Sequence, residues 1–138
     1  MKMSTGESTP GRIRGVERCW VLIGRQDGES TWRFRRRRLT SGEIASVEAD
    51  WEWALRREDR YGDVIGFFHT HPHGAGTQPS SRDVRTMLVW CTALGKPLLC
   101  VIASGKMLEG YLFANVNQQA VQVESIRKTK GGLYTVLA

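Results

Sequence analysis

Residues 62–71, Gly-Asp-Val-Ile-Gly-Phe-Phe-His-Thr-His, constrain the fold more than any other stretch of the chain. Val64, Ile65, Phe67 and Phe68 would place apolar groups on both faces of an extended segment, and such a strand is stable only when both faces are covered. It is therefore expected at the centre of a sheet. The apolar run stops at His69 and His71. A segment from Pro72 to Pro79 follows that is too rich in Gly and Pro for regular structure.

The flanking sequence supplies partners for that strand. Residues 16–24 read as a strand, Asp27-Gly28 as a turn, and 30–39 as the returning strand of a hairpin. Ile44, Val47, Trp51 and Leu55 recur at three- to four-residue spacing, which predicts an amphipathic helix over about 40–60. Thr40 or Ser41 would cap it, and Glu43 and Glu48 would sit in its early turns. Trp53 falls opposite the apolar stripe. A second helix is expected over 81–94, with Val84, Met87, Leu88, Cys91 and Leu94 buried; Gly95 and Pro97 end it. Residues 97–104 read as another buried strand, and 107–116, 120–126 and 132–137 as further strands. This order predicts an α/β fold, a mixed sheet flanked by helices. A length of 138 residues suits a single domain over 13–138, preceded by a flexible Ser-, Thr-, Gly- and Pro-rich segment at 1–12.

No apolar run approaches the ~20 residues needed to span a membrane, and the first residues lack the apolar stretch of a signal peptide. A cytoplasmic protein without a membrane partner is expected. Cys19, Cys91 and Cys100 are odd in number and widely spaced, which suits neither a disulfide framework nor a cysteine-type zinc site. The net charge of +6 favours acidic partners, and much of it sits in Arg33 and Arg35 to Arg38. A nucleic-acid partner is not expected, because no helix-turn-helix, zinc-finger or aromatic RNA-binding signature is present. The plainest reading of the arginine run is a solvated strand edge that resists aggregation. Arg35 and Arg37 are the alternative, as docking residues.

The chemistry gathers around the two histidines. Residues at i and i+2 of a strand share a face at ~6.6 Å, close enough for two imidazoles to converge on one ion. Asp83, in the first turn of the second helix, sits at the edge of the buried stripe and points toward the sheet. Two imidazoles and one carboxylate form the ligand set of a catalytic zinc site with a position left open. Ser80-x-x-Asp83 also has the form of a capping box, and Asp83 is not expected to serve both cap and metal. His73, in the loop, is expected to be exposed. Upstream, alternation puts Glu17 on a strand face with Cys19, Val21 and Ile23, where a carboxylate is unusual. Glu43, Glu48 and Glu52 are alternatives, on the polar face of the first helix.

The string Gly66-Phe67-Phe68-His69-Thr70-His71-Pro72, with Pro79-Ser80-Ser81-Arg82-Asp83, resembles the signature of the JAMM family, also called JAB or MPN-plus. That signature is His-x-His-Pro, a short loop, and Ser-x-x-Asp opening a helix. Eight residues separate His71 from Ser80, one more than usual. The family's upstream glutamate stands in Glu-x-x-Gly, to which Glu17-Arg18-Cys19-Trp20 is similar, with Trp20 in place of the glycine. The resemblance covers about residues 15–105, to the compact bacterial members. It implies a JAMM/MPN-like fold, one zinc per chain on His69, His71 and Asp83, Glu17 as general base and Ser80 as donor to the oxyanion. It further implies an isopeptidase that cuts after the terminal glycine of a ubiquitin-like modifier. Activating and conjugating enzymes would share the pathway, as in bacterial antiviral operons. A non-catalytic scaffold and a DNA-repair-associated nucleic-acid binder are the alternatives within the family.

Overall fold

The computed structural model describes residues 16–43, 48–114 and 120–138, so the segment at 1–12 lies outside it. Strands β1 (Val16–Gln26) and β2 (Thr31–Glu43) form the expected antiparallel hairpin, with Gly28 in its turn at φ 87°. Helix α1 (Trp51–Tyr61), β3 (Val64–Thr70), α2 (Ser81–Leu94), β4 (Leu98–Ser104) and β5 (Met107–Phe113) follow. Then come β6 (Ala120–Gln122), β7 (Ser125–Lys128) and β8 (Leu133–Leu137). Among the described residues, all eight strands join one sheet in the order β6-β5-β4-β3-β1-β2-β8-β7. β3 lies inside it, parallel to β4 through the α2 crossover and antiparallel to β1.

The two faces of the sheet are covered differently. Both helices pack on one face, where Ala54, Met87, Trp90 and Cys91 meet Val21, Phe67, Cys100 and Phe113. The other core, built on Leu22, Phe34, Phe68, Val101 and Val136, contains no helical residue. There the sheet rolls over itself. Val123 N–H donates to Gly110 O at 2.9 Å and Glu124 N–H to Leu137 O at 2.8 Å, so the two residues between β6 and β7 tie β5 to β8. Among the described residues, no helix is long and apolar enough to cross a membrane.

The first helix departs from its sequence pattern. It starts at Trp51, capped by Asp50, whose side chain accepts Trp53 N–H at 3.0 Å. Thr40, Ser41 and Glu43 belong to β2 instead, and Glu48 precedes the helix. The cause is long-range pairing. β2 continues along β1 past a bulge, because Cys19 pairs with Thr40 and Val21 with Arg37, leaving Arg38 and Leu39 opposite Trp20. Arg38 takes φ 53° there, and its Nε reaches Asp50 Oδ2 at 2.8 Å, tying the bulge to the helix cap. Ile44 and Val47 lie outside the described residues. Leu55, expected in the core, is exposed; Ala54 is buried instead, and Trp51 and Trp53 pack half-buried beside it. Helix α2 has the expected ends, closed by Gly95 at φ 70°, and Trp90 joins its buried stripe.

Candidate metal centre

The ends of β3 and the start of α2 meet at one point. β3 delivers His69 and His71 to one face, and His71 N–H donates to Ala103 O at 2.8 Å, extending the ladder past the strand. Asp83 comes from the first turn of α2. His69 Nε2 lies 3.4 Å from Asp83 Oδ1, and His71 Nε2 lies 3.2 Å from Asp83 Oδ2. One ligand atom from each of the three residues falls within 4.8 Å of the others. Ligands at ~2.0–2.1 Å around a tetrahedral zinc stand about 3.3 Å apart, so this donor set fits such an ion.

The surroundings fix the donors' state. His71 Nδ1 lies 3.0 Å from the carbonyl of Gly76, which can only accept, so a ring proton belongs on Nδ1; a proton on Nε2 donates to Asp83 Oδ2, and its loss would leave the Nε2 lone pair for a metal. Burial pushes the pKa of His69 down, against the opposing charge of Asp83. The hydrogen bond to Asp83 pushes His71 up despite burial. Burial alone would raise Asp83. The bond with His71, the charge of His69 and the bonds with Ser80 outweigh it and hold the carboxyl at about 2.

Contrary to the expectation that it could not do both, Asp83 serves the cap and the histidines together. Ser80 Oγ accepts Asp83 N–H at 3.0 Å, and Asp83 Oδ2 accepts Ser80 N–H at 2.8 Å. A carboxylate oxygen has two lone pairs, and the capping box uses one of them. Ser80 itself is exposed. Its oxygen accepts in the cap, and its hydroxyl also hydrogen-bonds to the Asp83 carboxylate.

Glu17 joins this group from β1. Cys19 pairs with His69, so Glu17, two residues earlier on the same face, stands level with His71. It is 6 % exposed, and its Oε1 has no hydrogen-bond partner among the described residues. Burial raises its pKa; His71, the Thr70 hydroxyl and Arg18 pull the other way without cancelling the rise. A buried carboxylate with a free oxygen and a raised pKa beside two histidines is a proton acceptor in waiting. The alternatives are committed elsewhere: Glu48 accepts from Trp51 Nε1 at 3.1 Å, and Glu52 pairs with Arg56 at 2.6 Å. Nothing is described of the Glu43 side chain. His73 is exposed, lies over Gly105 and stays out of the group.

Only part of the arginine run is interior to the sheet: β8 pairs with β2 from Thr31 to Arg35, so Arg33 and Arg35 stand between β1 and β8, whereas Arg36 to Arg38 lie beyond the last β8 pair. Arg35 donates to Gly131 O, Arg33 pairs with Asp27 at 3.2 Å, and Arg36 lies across the sheet 4.2 Å over the Trp20 ring. Arg37 is exposed. Two arginines that the sequence reading passed over extend the basic face. Arg25, Arg33, Thr135 and Arg127 stand in one register row across β1, β2, β8 and β7. No local pattern marks that row, since it exists only once the strands pair. The same holds for the Gly76 carbonyl that orients His71.

A family model described as prokaryotic homologs of the JAB domain matches residues 14–120. No curated protein matches the chain significantly.

Proposed function

The chain belongs to the family of prokaryotic homologs of the JAB domain, and from that premise we propose that it is a zinc-dependent isopeptidase that cuts after the C-terminal glycine of a ubiquitin-like modifier. The observation that carries the catalytic part is the convergence of His69, His71 and Asp83, with Glu17 buried beside them. A scaffold needs none of these four, and the unpaired buried oxygen of Glu17 costs stability, a cost that a catalytic role would explain. A zinc ion held by His69, His71 and Asp83 would polarise a scissile carbonyl and make water acidic near neutral pH.

The chain's own groups do the rest. Glu17 takes the proton of the attacking water on its free oxygen and later passes it to the leaving amine. Its raised pKa brings it nearer the operating pH than an ordinary carboxylate. Ser80 donates its hydroxyl proton to the developing oxyanion. The Gly76 carbonyl holds the His71 ring in one orientation throughout.

The modifier's tail would enter as an extended peptide, with glycine at the cut because the chain passes close to His69 and His71. The row of arginines on the bare part of the sheet suits an acidic protein partner. It is a poor nucleic-acid platform, since Trp20, Phe34 and Tyr134, on which bases could stack, belong to the opposite core. Activating and conjugating enzymes of the same pathway are the further partners proposed. A fusion carrying a ubiquitin-like protein's diglycine tail joined to a lysine amine tests the reading. Cleavage after the glycine that stops with chelator and returns with zinc supports it. Failure of zinc-loaded protein to cut any such fusion counts against it.

A further inference from the structure

Below His69 the structure holds a cavity of about 70 Å³. Its deep wall is Cys19, Phe67, Met87 and Cys100, each at most 6 % exposed, and Ala49 closes one side. Away from the metal group, the charged lining among the described residues is Glu48 and Arg82, which face each other at 3.9 Å. His69 and Asp83 line the cavity as well, so it shares a wall with the metal group.

The lining decides what can occupy the space. Burial pushes the Cys19 thiol up to about 12 and the Cys100 thiol well above its usual value, so both are neutral and behave as apolar surface. An ordered water needs two to four polar partners, and the deep wall offers no strong one. The volume is about half of the ~150 Å³ that accommodates benzene, enough for a chain of about three to four carbons.

A glycine on the acyl side of the scissile bond has no side chain to place there. We infer that the cavity takes the hydrocarbon attached to the leaving nitrogen, an aliphatic stem such as the methylenes of a lysine side chain. This rests on the hydrolytic reading of the metal centre and adds to it a preference on the amine side. The reaction is ordinary hydrolysis: water adds to the carbonyl, the C–N bond breaks, and the amine leaves with a proton.

Two substrates test it, the same modifier-tail peptide ending in glycine n-butylamide or glycine methylamide. The zinc-loaded protein should cut the butylamide with kcat/KM about 10- to 100-fold higher, the worth of roughly three buried methylenes. Ala49→Leu, which fills the cavity, should bring that ratio near one. Binding is read separately by NMR on chelator-treated protein. N-butylacetamide at millimolar concentration should shift the Met87 methyl resonance, N-methylacetamide should not, and Ala49→Leu should abolish the shift. A butyl-specific shift without cleavage of either amide would uphold the cavity's role while sinking the hydrolytic reading. Equal cleavage of both amides with no shift would leave that reading standing and overturn the inference. Neither cleavage nor shift would overturn both.

Discussion

His71 Nε2 stands 3.2 Å from Asp83 Oδ2, the same oxygen that accepts the Ser80 N–H at 2.8 Å. Helix cap and metal group therefore share one atom, and Asp83→Asn separates their contributions. The folded pKa of about 2 lies below the ordinary 3.8, so the carboxylate stabilises the fold fully above 3.8, and that stability is lost as pH falls toward 2. In metal-free protein Asp83→Asn should cost about 2 kcal/mol at neutral pH. Its deficit against wild type should close between pH 3.8 and 2, as read by denaturant unfolding. Zinc affinity should fall more than about 100-fold, beyond the usual loss for a residue that only supports a ligand.

Glu17→Gln should keep zinc and lose about 10²–10⁴-fold in kcat, the range for a general base. Stability should move the other way. The folded pKa stands above 4.5, so the folded state holds a proton that the unfolded state has released. Raising the pH from 4.5 through the folded value therefore destabilises wild type. Glutamine carries no such penalty, and metal-free Glu17→Gln should melt no lower than wild type at pH 7. A variant that melts lower would contradict the raised pKa, and one that cuts at the normal rate would show that the base lies elsewhere.

Ser80 has two separable tasks. Ser80→Ala should lose about 0.5–2 kcal/mol through the cap, whereas Ser80→Gly should lose only a few tenths. Both remove the hydroxyl proton, so both should lower kcat by a similar factor if Ser80 serves the oxyanion. Activity that tracks stability across the two variants would reduce Ser80 to a cap.

Arg37 and Arg127 test docking without disturbing the fold, unlike Arg35, which donates to the Gly131 carbonyl. Replacing both by Glu should raise KM for an intact modifier conjugate roughly three- to tenfold at low salt, and less at high salt. It should leave a short tail peptide unaffected. Equal effects on both substrates would mean damage to the site rather than lost docking.

The parts of the site that lie close in sequence were legible before folding. His69, His71, Ser80 and Asp83 are joined by one strand, one loop and one helix start, and spacing and capping rules place them. Glu17 was legible as a carboxylate on an apolar strand face, and the register of Cys19 with His69 brings it to the group. What the sequence hid depends on distant pairing. The helical spacing of residues 44–55 gives no hint that β2 runs on to Glu43, because the partners of Thr40 and Ser41 are Cys19 and Arg18 of β1. Likewise, Arg33 and Arg35 look like an edge until β8, almost 100 residues later, pairs with β2 and makes that stretch interior.

The central claim is that His69, His71 and Asp83 hold one zinc ion, and calorimetric titration of chelator-treated protein with zinc tests it most directly. Wild type should bind one equivalent per chain, with release of protons as His71 gives up its share. His71→Ala, folded by circular dichroism, should bind none at the same concentrations, because a three-ligand site has no spare. Folded wild type that takes up no zinc, or His71→Ala that takes it up equally well, would contradict the account.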